Sequence, residues 1–511
     1  MPGYSLSEVD AVAMRIVFCL FTLLSCIPVV AADRPNIVLI MCDDMGFSDI
    51  GCYGGEVQTP VLDRMAAEGQ RYTQFYNNAK CTTTRASLIT GLYPRKKGSL
   101  LRPNMVTIPE VLAPTGYLCV LTGKWHLGSN APHRPSDRGF QHYYGLLDGC
   151  CNFFDPAQPD PDFKGGKVRW FGEDDKRITE FPDNFYTTDA FTDQACAAID
   201  TAVDRKQPLF LHVCYTAPHY PLHAPEAEIA KYRGKYRAGW TELRKQRHAR
   251  QLEMGLVDPQ WDLPGPDREV ADWSDVKEQA YYDELMATYA AMIDRMDQNI
   301  GRILARLDER GIAQNTVVLF LSDNGGCAEK PGGIDPTRTP GVKEFYTACG
   351  PGWAYAQNTP FRRFKSYVHE GGISTPLIAR WPGHVAAGTW CRDVAHIIDL
   401  LPTCAELAGA SIPDEHKGNA LLPVEGRSMV PLLQGRSRDP HDQLFWEWAG
   451  SRAVREGDMK LCWDSGLKRW ELYNVVDDRT EMHDLAADRP DDVERLAAAW
   501  HAWEERMASK K

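Results

Sequence analysis

Short apolar runs alternate with longer amphipathic segments from residue 36 onward. The runs at residues 36–41, 117–121, 208–215 and 316–321 are almost continuously apolar, which is typical of strands buried on both faces. A long amphipathic helix is predicted over residues 281–310, just before the last of these strands. Strands that alternate with helices predict an α/β fold, with a large mixed, mostly parallel sheet covered by helices on both faces.

The pattern changes after about residue 440. Four short strands are predicted at residues 444–448, 451–455, 460–463 and 470–473, followed by a helix over 490–510. We therefore expect a large α/β domain over residues 33–440. A small C-terminal α+β subdomain, an antiparallel sheet with a terminal helix, is expected over 441–511. Residues 224–274 lack a clear period, so we expect a solvated excursion there, with an insertion near the substrate as the alternative.

The N-terminus has the pattern of an export signal. Arg15 precedes an apolar run over residues 16–30, and the small residues Ala31 and Ala32 follow it. This predicts a signal peptide over residues 1–32, with Met14 as an alternative start. Leu23-Leu-Ser-Cys26 resembles a bacterial lipoprotein cleavage box, so lipid attachment at Cys26 is a second reading. The run is short for a membrane span, so we expect a periplasmic or extracellular protein without one.

Composition narrows the function classes. A net charge of −12 over 511 residues argues against a nucleic-acid partner, and it requires a local cationic cluster if the substrate is an anion. Thirteen of the 15 cysteines remain after the predicted cleavage, an odd number that leaves at least one outside any disulfide. No C-x-x-C pair occurs, so zinc ribbons and thioredoxin-like motifs have no support. The adjacent Cys150 and Cys151 could serve in bridges, and their pairing stays open.

Two polar clusters stand where predicted strands end. Asp43 and Asp44 follow the first strand, and Asp323 and Asn324 follow the strand at 316–321. Open α/β sheets bind ligands at the carboxyl ends of their strands. Four hard oxygen donors suit calcium, or magnesium with retained waters, and not zinc. A turn or a helix cap explains each cluster by itself, but not why both fall at equivalent strand ends.

The segment at residues 81–94 begins Cys-Thr-Thr-Thr-Arg and resembles the sulfatase signature, in which Cys or Ser opens a C-x-P-x-R core. Further segments resemble the same family in the same order, at residues 35–44, 123–128, 217–221, 323–325 and 365–376. The resemblance extends over about residues 35–480. It implies a type I, formylglycine-dependent, arylsulfatase-like enzyme of the alkaline phosphatase superfamily. Its expected substrate is an aryl sulfate or a sulfated carbohydrate.

In that family a formylglycine-generating enzyme oxidises the signature cysteine to Cα-formylglycine (3-oxoalanine). Its hydrate attacks sulfur and later expels sulfate. The resemblance implies that Cys81 is this residue, and that one Ca²⁺ is bound by Asp43, Asp44, Asp323, Asn324 and an oxygen of the modified Cys81. It also implies roles for five further residues. Arg85 would hold the diol, Lys124 would bind sulfate, His126 would act as the base, and His219 and Lys365 would contact the leaving oxygen, with His219 as the better general acid.

One position departs from the family pattern. Thr83 stands where the signature usually has Pro, and the modifying enzyme reads that position. Slow, partial or absent conversion of Cys81 therefore stays open, although modification is expected because Cys81 and Arg85 are both present.

Two other functions compete with the sulfatase. A phosphate or phosphonate monoester hydrolase of the same superfamily would use the same metal clamp, but two-metal members need further His and Asp ligands. A catalytically inactive sulfated-glycan binding protein is supported only by Thr83. The aromatic residues between Phe153 and Phe185, with Trp170 and Phe171, could line sugar subsites or belong to the core.

Overall fold

A buried strand at Asn36–Cys42, here β1, forms the centre of the fold in the computed structural model, which describes residues 34–94 and 100–509. Its side chains alternate between two apolar cores. Val38 and Ile40 pack on one side of the sheet, and Ile37 and Leu39 pack on the other. The strand is apolar at nearly every position because helices cover both faces.

The strands after β1 are β2 (Gln70–Tyr72), β3 (Phe75–Tyr76), β4 (Leu118–Gly123), β5 (His142–Leu146), β6 (Phe171–Glu173), β7 (Lys176–Arg177), β8 (Leu209–Cys214), β9 (Thr316–Ser322), β10 (Leu377–Arg380), β11 (Thr389–Cys391), β12 (Ala395–His396), β13 (Glu415–His416) and β14 (Asn419–Ala420). Among the described residues β1 belongs to a ten-stranded sheet, in the order β11-β2-β10-β9-β1-β8-β4-β5-β6-β7. The five consecutive strands from β9 to β5 in that order are mutually parallel, and β10, β6 and β7 pair antiparallel with a neighbour. β3 pairs with β12, and β13 pairs with β14, in two separate two-stranded sheets.

Helices cover both faces of this sheet. Thr187–Arg205 and the long Gln279–Glu309 pack in the core that contains Val38, whereas Cys81–Thr90 and Leu400–Leu407 pack in the opposite core. The other helices are Pro60–Ala67, Ile108–Leu112, Glu226–Ile229, Gly239–Glu253, Gly350–Gln357, Glu370–Ile373 and Val430–Leu433. Short 3-10 turns occur at Gly51–Tyr53, Ala113–Thr115, Ser136–Arg138, Asp162–Lys164, Trp273–Asp275, Ala313–Asn315 and Ile397–Asp399.

A second, four-stranded antiparallel sheet follows near the C-terminus. Its strands are β15 (Leu444–Trp448), β16 (Ser451–Glu456), β17 (Met459–Asp464) and β18 (Arg469–Asn474). The helix Pro490–Ser509 packs on it, and Trp503 stacks on Phe445 with ring centroids 5.1 Å apart. The large mixed sheet and this smaller sheet with its terminal helix confirm the fold class predicted from the sequence. The domain boundary at residue 441 stays a prediction.

The expectation of a solvated excursion over residues 224–274 is wrong for its central part. The helix Gly239–Glu253 buries both Arg244 and Arg247 completely. Arg244 donates to the backbone oxygen of Tyr355 at 2.7 Å, and Arg247 donates to the Asp49 carboxylate at 2.7 Å. Buried guanidinium groups are stable when such acceptors satisfy them, so a basic segment can line the interior.

The structure resolves two alternatives that the sequence left open. Phe153, Phe171 and Phe185 are buried in the main core and are therefore structural, whereas Phe163, within the same stretch, is exposed. Every cysteine within the described residues is a free thiol, including Cys150 and Cys151. The predicted signal peptide, with the alternative lipid site at Cys26, lies outside the described residues. None of the described helices is both long and apolar enough to cross a membrane.

Candidate functional site

The polar residues at the tips of β1 and β9 lie side by side. The two strands run parallel with Cys42 opposite Ser322, so Asp43 and Asp323 leave the sheet at the same level. The backbone N–H of Asp44 donates to Oδ1 of Asp323 at 3.2 Å. Asp43, Asp44, Asp323 and Asn324 are each no more than 1% exposed. The two clusters therefore form one buried group of oxygen atoms.

This group has the properties of a site for a hard cation. Oδ1 of Asp43 and Oδ1 of Asn324 are buried without a hydrogen-bond partner, which is unusual for buried polar atoms. Burial, and then the nearby Asp323 carboxylate, raise the pKa of Asp43 to about 8. A divalent cation would take the unpartnered oxygens as ligands and relieve the repulsion between the carboxylates. The residues present thus fit a bound calcium or magnesium ion.

Cys81 lies beside this group as the first residue of the helix Cys81–Thr90. Its sulfur and one carboxylate oxygen each from Asp43 and Asp323 all lie within 4.8 Å of one another. Burial raises the pKa of the Cys81 thiol, so the unmodified side chain stays protonated and is a weak nucleophile.

Arg85 lies one turn further along the same helix and ties it to the strand tips. Its guanidinium donates to Oδ2 of Asp323 at 2.8 Å and to the backbone oxygen of Lys124 at 2.8 Å. The nearest Asp43 oxygen is 3.8 Å away. Arg85 thus balances carboxylate charge and fixes the helix start against the sheet.

Lys124 and His126 follow β4, the next strand but one from β1. The Lys124 ammonium is fully buried and donates to Oδ2 of Asp43 at 2.5 Å. Burial opposes its charge, but the Asp43 carboxylate outweighs burial, so the pKa of Lys124 lies above its usual value. Nδ1 of His126 lies 3.5 Å from the Cys81 sulfur. Burial and then the Lys124 charge hold the pKa of His126 well below its usual value, which keeps the imidazole neutral.

Asp44 is surrounded by His219 and Lys365 as well as by Asn324. The Lys365 ammonium lies 2.7 Å from the Asp44 carboxylate, and Nε2 of His219 lies 3.4 Å from it. Burial lowers the pKa of His219 well below its usual value despite this carboxylate. Burial also disfavours the charge of Lys365, but Asp44 reverses the effect and raises its pKa. The resting site therefore holds a charged Lys365 next to a neutral His219.

Lys365 occupies a strained loop. Arg363 and Ser366 both have left-handed backbones, with φ of 66° and 77°, a conformation that costs about 1–3 kcal/mol for residues other than glycine. The loop is held by the C-terminal sheet, because Arg363 donates to Asp464 of β17 at 2.7 Å. Both of these side chains are at most 4% exposed. The ion pair thus connects the small sheet to the position of Lys365.

Replacing Asp464 with asparagine is expected to lower kcat about tenfold with little change in KM. The amide keeps the shape and the turn hydrogen bonds but removes the most buried of the three carboxylates around Arg363, the others being Asp267 and Glu269. Small displacements of a positioned group cost rate steeply. Steady-state kinetics would measure kcat and KM, and thermal melting would show whether the variant keeps its stability. The Glu456→Gln variant, which breaks an exposed ion pair with Arg495 near the same sheet, is the control and should change neither. Wild-type kcat in Asp464→Asn would show that the ion pair does not position Lys365.

The structure brings together all the site residues predicted from the sequence, namely Asp43, Asp44, Cys81, Arg85, Lys124, His126, His219, Asp323, Asn324 and Lys365. Sequence reasoning missed Asp464, because its partner Arg363 is distant in sequence. It also missed Lys80 and Glu329, which join at the rim of the site at 2.7 Å. Their closeness in sequence to Cys81 and Asn324 was the one signal available.

The chain matches known sulfatases over most of its length. The family model described as Sulfatase matches residues 35–410, and the model described as N-sulphoglucosamine sulphohydrolase, C-terminal, matches residues 361–503. An uncharacterized sulfatase of Schizosaccharomyces pombe is 31% identical over 93% of this chain and 94% of its own length. The arylsulfatase of Klebsiella aerogenes is 31% identical over 81% of this chain and 95% of its own length.

A solved structure shows the same similarity. The crystal structure of Ps i-CgsB in complex with k-i-k-neocarrahexaose has a TM-score of 0.68 and 25% identity, and the match covers 92% of this chain and 93% of that chain. The chain belongs to the sulfatase family. It is a sulfuric ester hydrolase, acting on sulfate esters of the aryl or carbohydrate type.

Proposed function

We propose that this sulfatase works through a formylglycine made from Cys81 and through one Ca²⁺ held by Asp43, Asp44, Asp323 and Asn324. The observation that carries the proposal is the mismatch between Cys81 and its neighbours. A protonated thiol lies within 4.8 Å of carboxylate oxygens that suit a hard cation, for which sulfur is a poor ligand. An oxygen at position 81 would complete the set of ligands and would be the better nucleophile.

Each of the two groups would supply a distinct chemistry. A hydrated formylglycine would supply an oxygen nucleophile together with a second hydroxyl through which sulfate can be released. The cation would supply positive charge next to the sulfate oxygens in the transition state.

The chain's own cations would bind the sulfate. Lys124 and Lys365 are buried ammonium groups whose raised pKa values keep them charged. They carry the local positive charge that a sulfate needs within a chain of net charge −12. Arg85 would not bind the sulfate, because its guanidinium is paired with Asp323 and holds the helix of Cys81 in place.

Two histidines would move the protons. His126 is neutral and presents Nδ1 to position 81, so it can accept a proton from a hydroxyl there. His219 hydrogen-bonds the backbone oxygen of Tyr220 through Nδ1 at 2.5 Å, so Nδ1 carries a proton and Nε2 is the free nitrogen, 3.4 Å from the Asp44 carboxylate. Binding of an anionic sulfate would favour protonation of Nε2, and His219 would then donate to the leaving oxygen.

A sulfated carbohydrate is the proposed natural substrate. Ps i-CgsB, at 25% identity, was crystallised with an oligosaccharide, and the arylsulfatase relative indicates that aryl esters also react. The signal-like N-terminus supports export to the periplasm or the cell exterior, and a formylglycine-generating enzyme would then act on the chain during maturation.

Hydrolysis of p-nitrophenyl sulfate tests the proposed activity directly. We expect turnover of this ester and of at least one sulfated sugar, and turnover of p-nitrophenyl phosphate at least about a hundredfold slower. Faster hydrolysis of the phosphate would favour the phosphomonoesterase alternative. Absence of turnover for every ester, in protein whose residue 81 carries the aldehyde, would contradict the proposal.

Conversion of Cys81 is expected to be incomplete in the wild-type chain and to increase in a Thr83→Pro variant. Thr83 is the third residue of its helix, where proline is tolerated because backbone N–H groups of the first turn lack helical partners. The variant loses only hydrogen bonds from Oγ1 to the backbone oxygens of Asn78 and Lys80, both at 2.9 Å. Mass spectrometry of the tryptic peptide 81–85 measures the aldehyde fraction. Thr82→Ala is the control, and full conversion in the wild type would contradict the expectation.

A further inference from the structure

The buried sulfate site opens past two residues that the proposed chemistry does not use. Cys81, Lys124 and Lys365 are at most 4% exposed. By contrast, the side chains of Lys80 and Glu329 are 20% and 40% exposed, and their ion pair lies at the edge of the site. This exposed ion pair, next to the buried Cys81 in sequence, marks the side from which a substrate would approach.

Glu329 connects the two sides of the opening. It accepts a hydrogen bond from Lys80, the residue before Cys81, at 2.7 Å, and a second from the Tyr220 hydroxyl. Tyr220 follows His219 in the chain, and the two rings are 4.1 Å apart. Burial opposes ionisation of Glu329, but Lys365 and Lys80 outweigh it and lower its pKa, so the rim carries a carboxylate.

Glu329 lies on the side of the site that the leaving group of the ester would occupy. In the proposed chemistry the ester oxygen faces His219 and Lys365, and the Lys365 ammonium is 5.9 Å from the centre of the Tyr220 ring. Because the Tyr220 hydroxyl donates to Glu329, an alcohol that leaves past Tyr220 would come near the Glu329 carboxylate. Lys80 and Tyr220 use one acceptor position on each Glu329 oxygen, which leaves further lone pairs for a hydroxyl group.

Aromatic rings continue outward from the same point. Tyr346 lies 6.0 Å from Tyr220, and Phe163 lies 5.7 Å from Tyr346. Phe163 is 54% exposed, although large apolar side chains are usually covered. A carboxylate acceptor beside a row of aromatic rings matches the two surfaces of a pyranose, which has hydroxyls at its edge and C–H groups on its face.

We propose that Glu329, with Lys80 and Tyr220, binds the sugar that carries the sulfate, and that Glu329 accepts a hydrogen bond from a hydroxyl of that sugar. The inference rests on the proposed function. A uronic acid would place a second carboxylate beside Glu329, where Lys80 already offsets the first and Lys164, 5.4 Å from the centre of the Tyr220 ring, is a further nearby cation. We therefore expect neutral hexose sulfates to be preferred over uronate sulfates.

The test compares substrates within each variant. The wild type and Glu329→Gln are assayed on p-nitrophenyl sulfate, on monosulfated galactose, glucose and N-acetylgalactosamine, and on sulfated glucuronate. The quantity compared is kcat/KM for the best hexose sulfate, divided by kcat/KM for p-nitrophenyl sulfate. In Glu329→Gln this ratio is expected to fall about ten- to a hundredfold, mainly because KM for the hexose sulfate rises. A loss of fold or of Lys365 alignment would lower both activities together and leave this ratio unchanged.

Glu309→Gln is the matched control, because Glu309 is exposed at the end of the helix Gln279–Glu309, just before β9 begins. The ratio should stay at the wild-type value in that variant. A ratio within twofold of wild type in Glu329→Gln, or faster hydrolysis of sulfated glucuronate than of every hexose sulfate, overturns the inference. Turnover of p-nitrophenyl sulfate without turnover of any sugar sulfate also overturns it, while the proposed sulfatase chemistry stands. Failure on p-nitrophenyl sulfate itself would count against the proposed function.

Discussion

Replacing Cys81 with alanine is expected to lower hydrolysis of p-nitrophenyl sulfate by at least roughly a thousandfold, because loss of a covalent nucleophile costs that much or more. The variant should fold, since alanine is small and tolerated at the first turn of a helix, and Arg85 still ties that helix to Asp323. Steady-state rates at matched protein concentration, with circular dichroism to verify folding, would measure the effect.

A second cysteine provides the control for this variant. Cys196 is a half-buried free thiol on the helix Thr187–Arg205, and Cys196→Ala should keep wild-type rates. If Cys81→Ala retained more than about a tenth of the activity, position 81 would not be the nucleophile, and the family signature would have misled the assignment.

Removal of divalent cations with EDTA is expected to abolish activity, and added Ca²⁺ is expected to restore it. Without an ion, the buried oxygens of Asp43 and Asn324 would have no partner, and only Lys124 and Arg85 would offset the repulsion between Asp43 and Asp323. Because the ion binds only the folded chain, Tm should also rise with Ca²⁺ concentration; a hundredfold excess over Kd stabilises by about 2.7 kcal/mol. Parallel titrations with Ca²⁺ and Mg²⁺ would identify the preferred metal.

Asn324→Ala tests the ligand assignment without leaving a buried charge unpaired. It removes a neutral oxygen donor, so the Ca²⁺ concentration for half-maximal activity should rise at least about tenfold, with activity recovered at high Ca²⁺. Asp323→Ala should lose activity altogether, since it also takes away the partner of Arg85. Asp204→Asn, at an exposed aspartate, is the control. Full activity in EDTA, or an unshifted Ca²⁺ requirement in Asn324→Ala, would refute the metal site.

The sequence predicted the centre of the fold better than its edges. β1 and β9 are recognisable because burial on both faces leaves nearly unbroken apolar runs, and the polar clusters at their ends follow directly. β2, by contrast, is three residues long and contains Gln70 and Arg71. Only its pairing with β10 and β11 makes it a strand, and that pairing depends on residues some 300 positions away.

Some residues of the site could not be predicted from the sequence for the same reason. Motif order and residue chemistry identified the residues around the proposed metal ion and nucleophile, such as Asp43, Cys81 and Asp323. They could not identify Asp464 or Glu329, because the side chains that each of them contacts come near only in the folded chain. The burial of Arg244 and Arg247 was unforeseen for a similar reason, since their carbonyl and carboxylate partners come from other segments.

The position of β1 has a consequence for biosynthesis. This strand is synthesised well before its two neighbours in the sheet, because β8 and β9 begin only at residues 209 and 316. At elongation speeds of about 5–20 residues per second, the apolar seven-residue segment waits on the order of ten seconds for its first partner. During that interval the exposed apolar strand can aggregate or be bound by holding chaperones. The yield of folded protein should therefore depend on the temperature of expression.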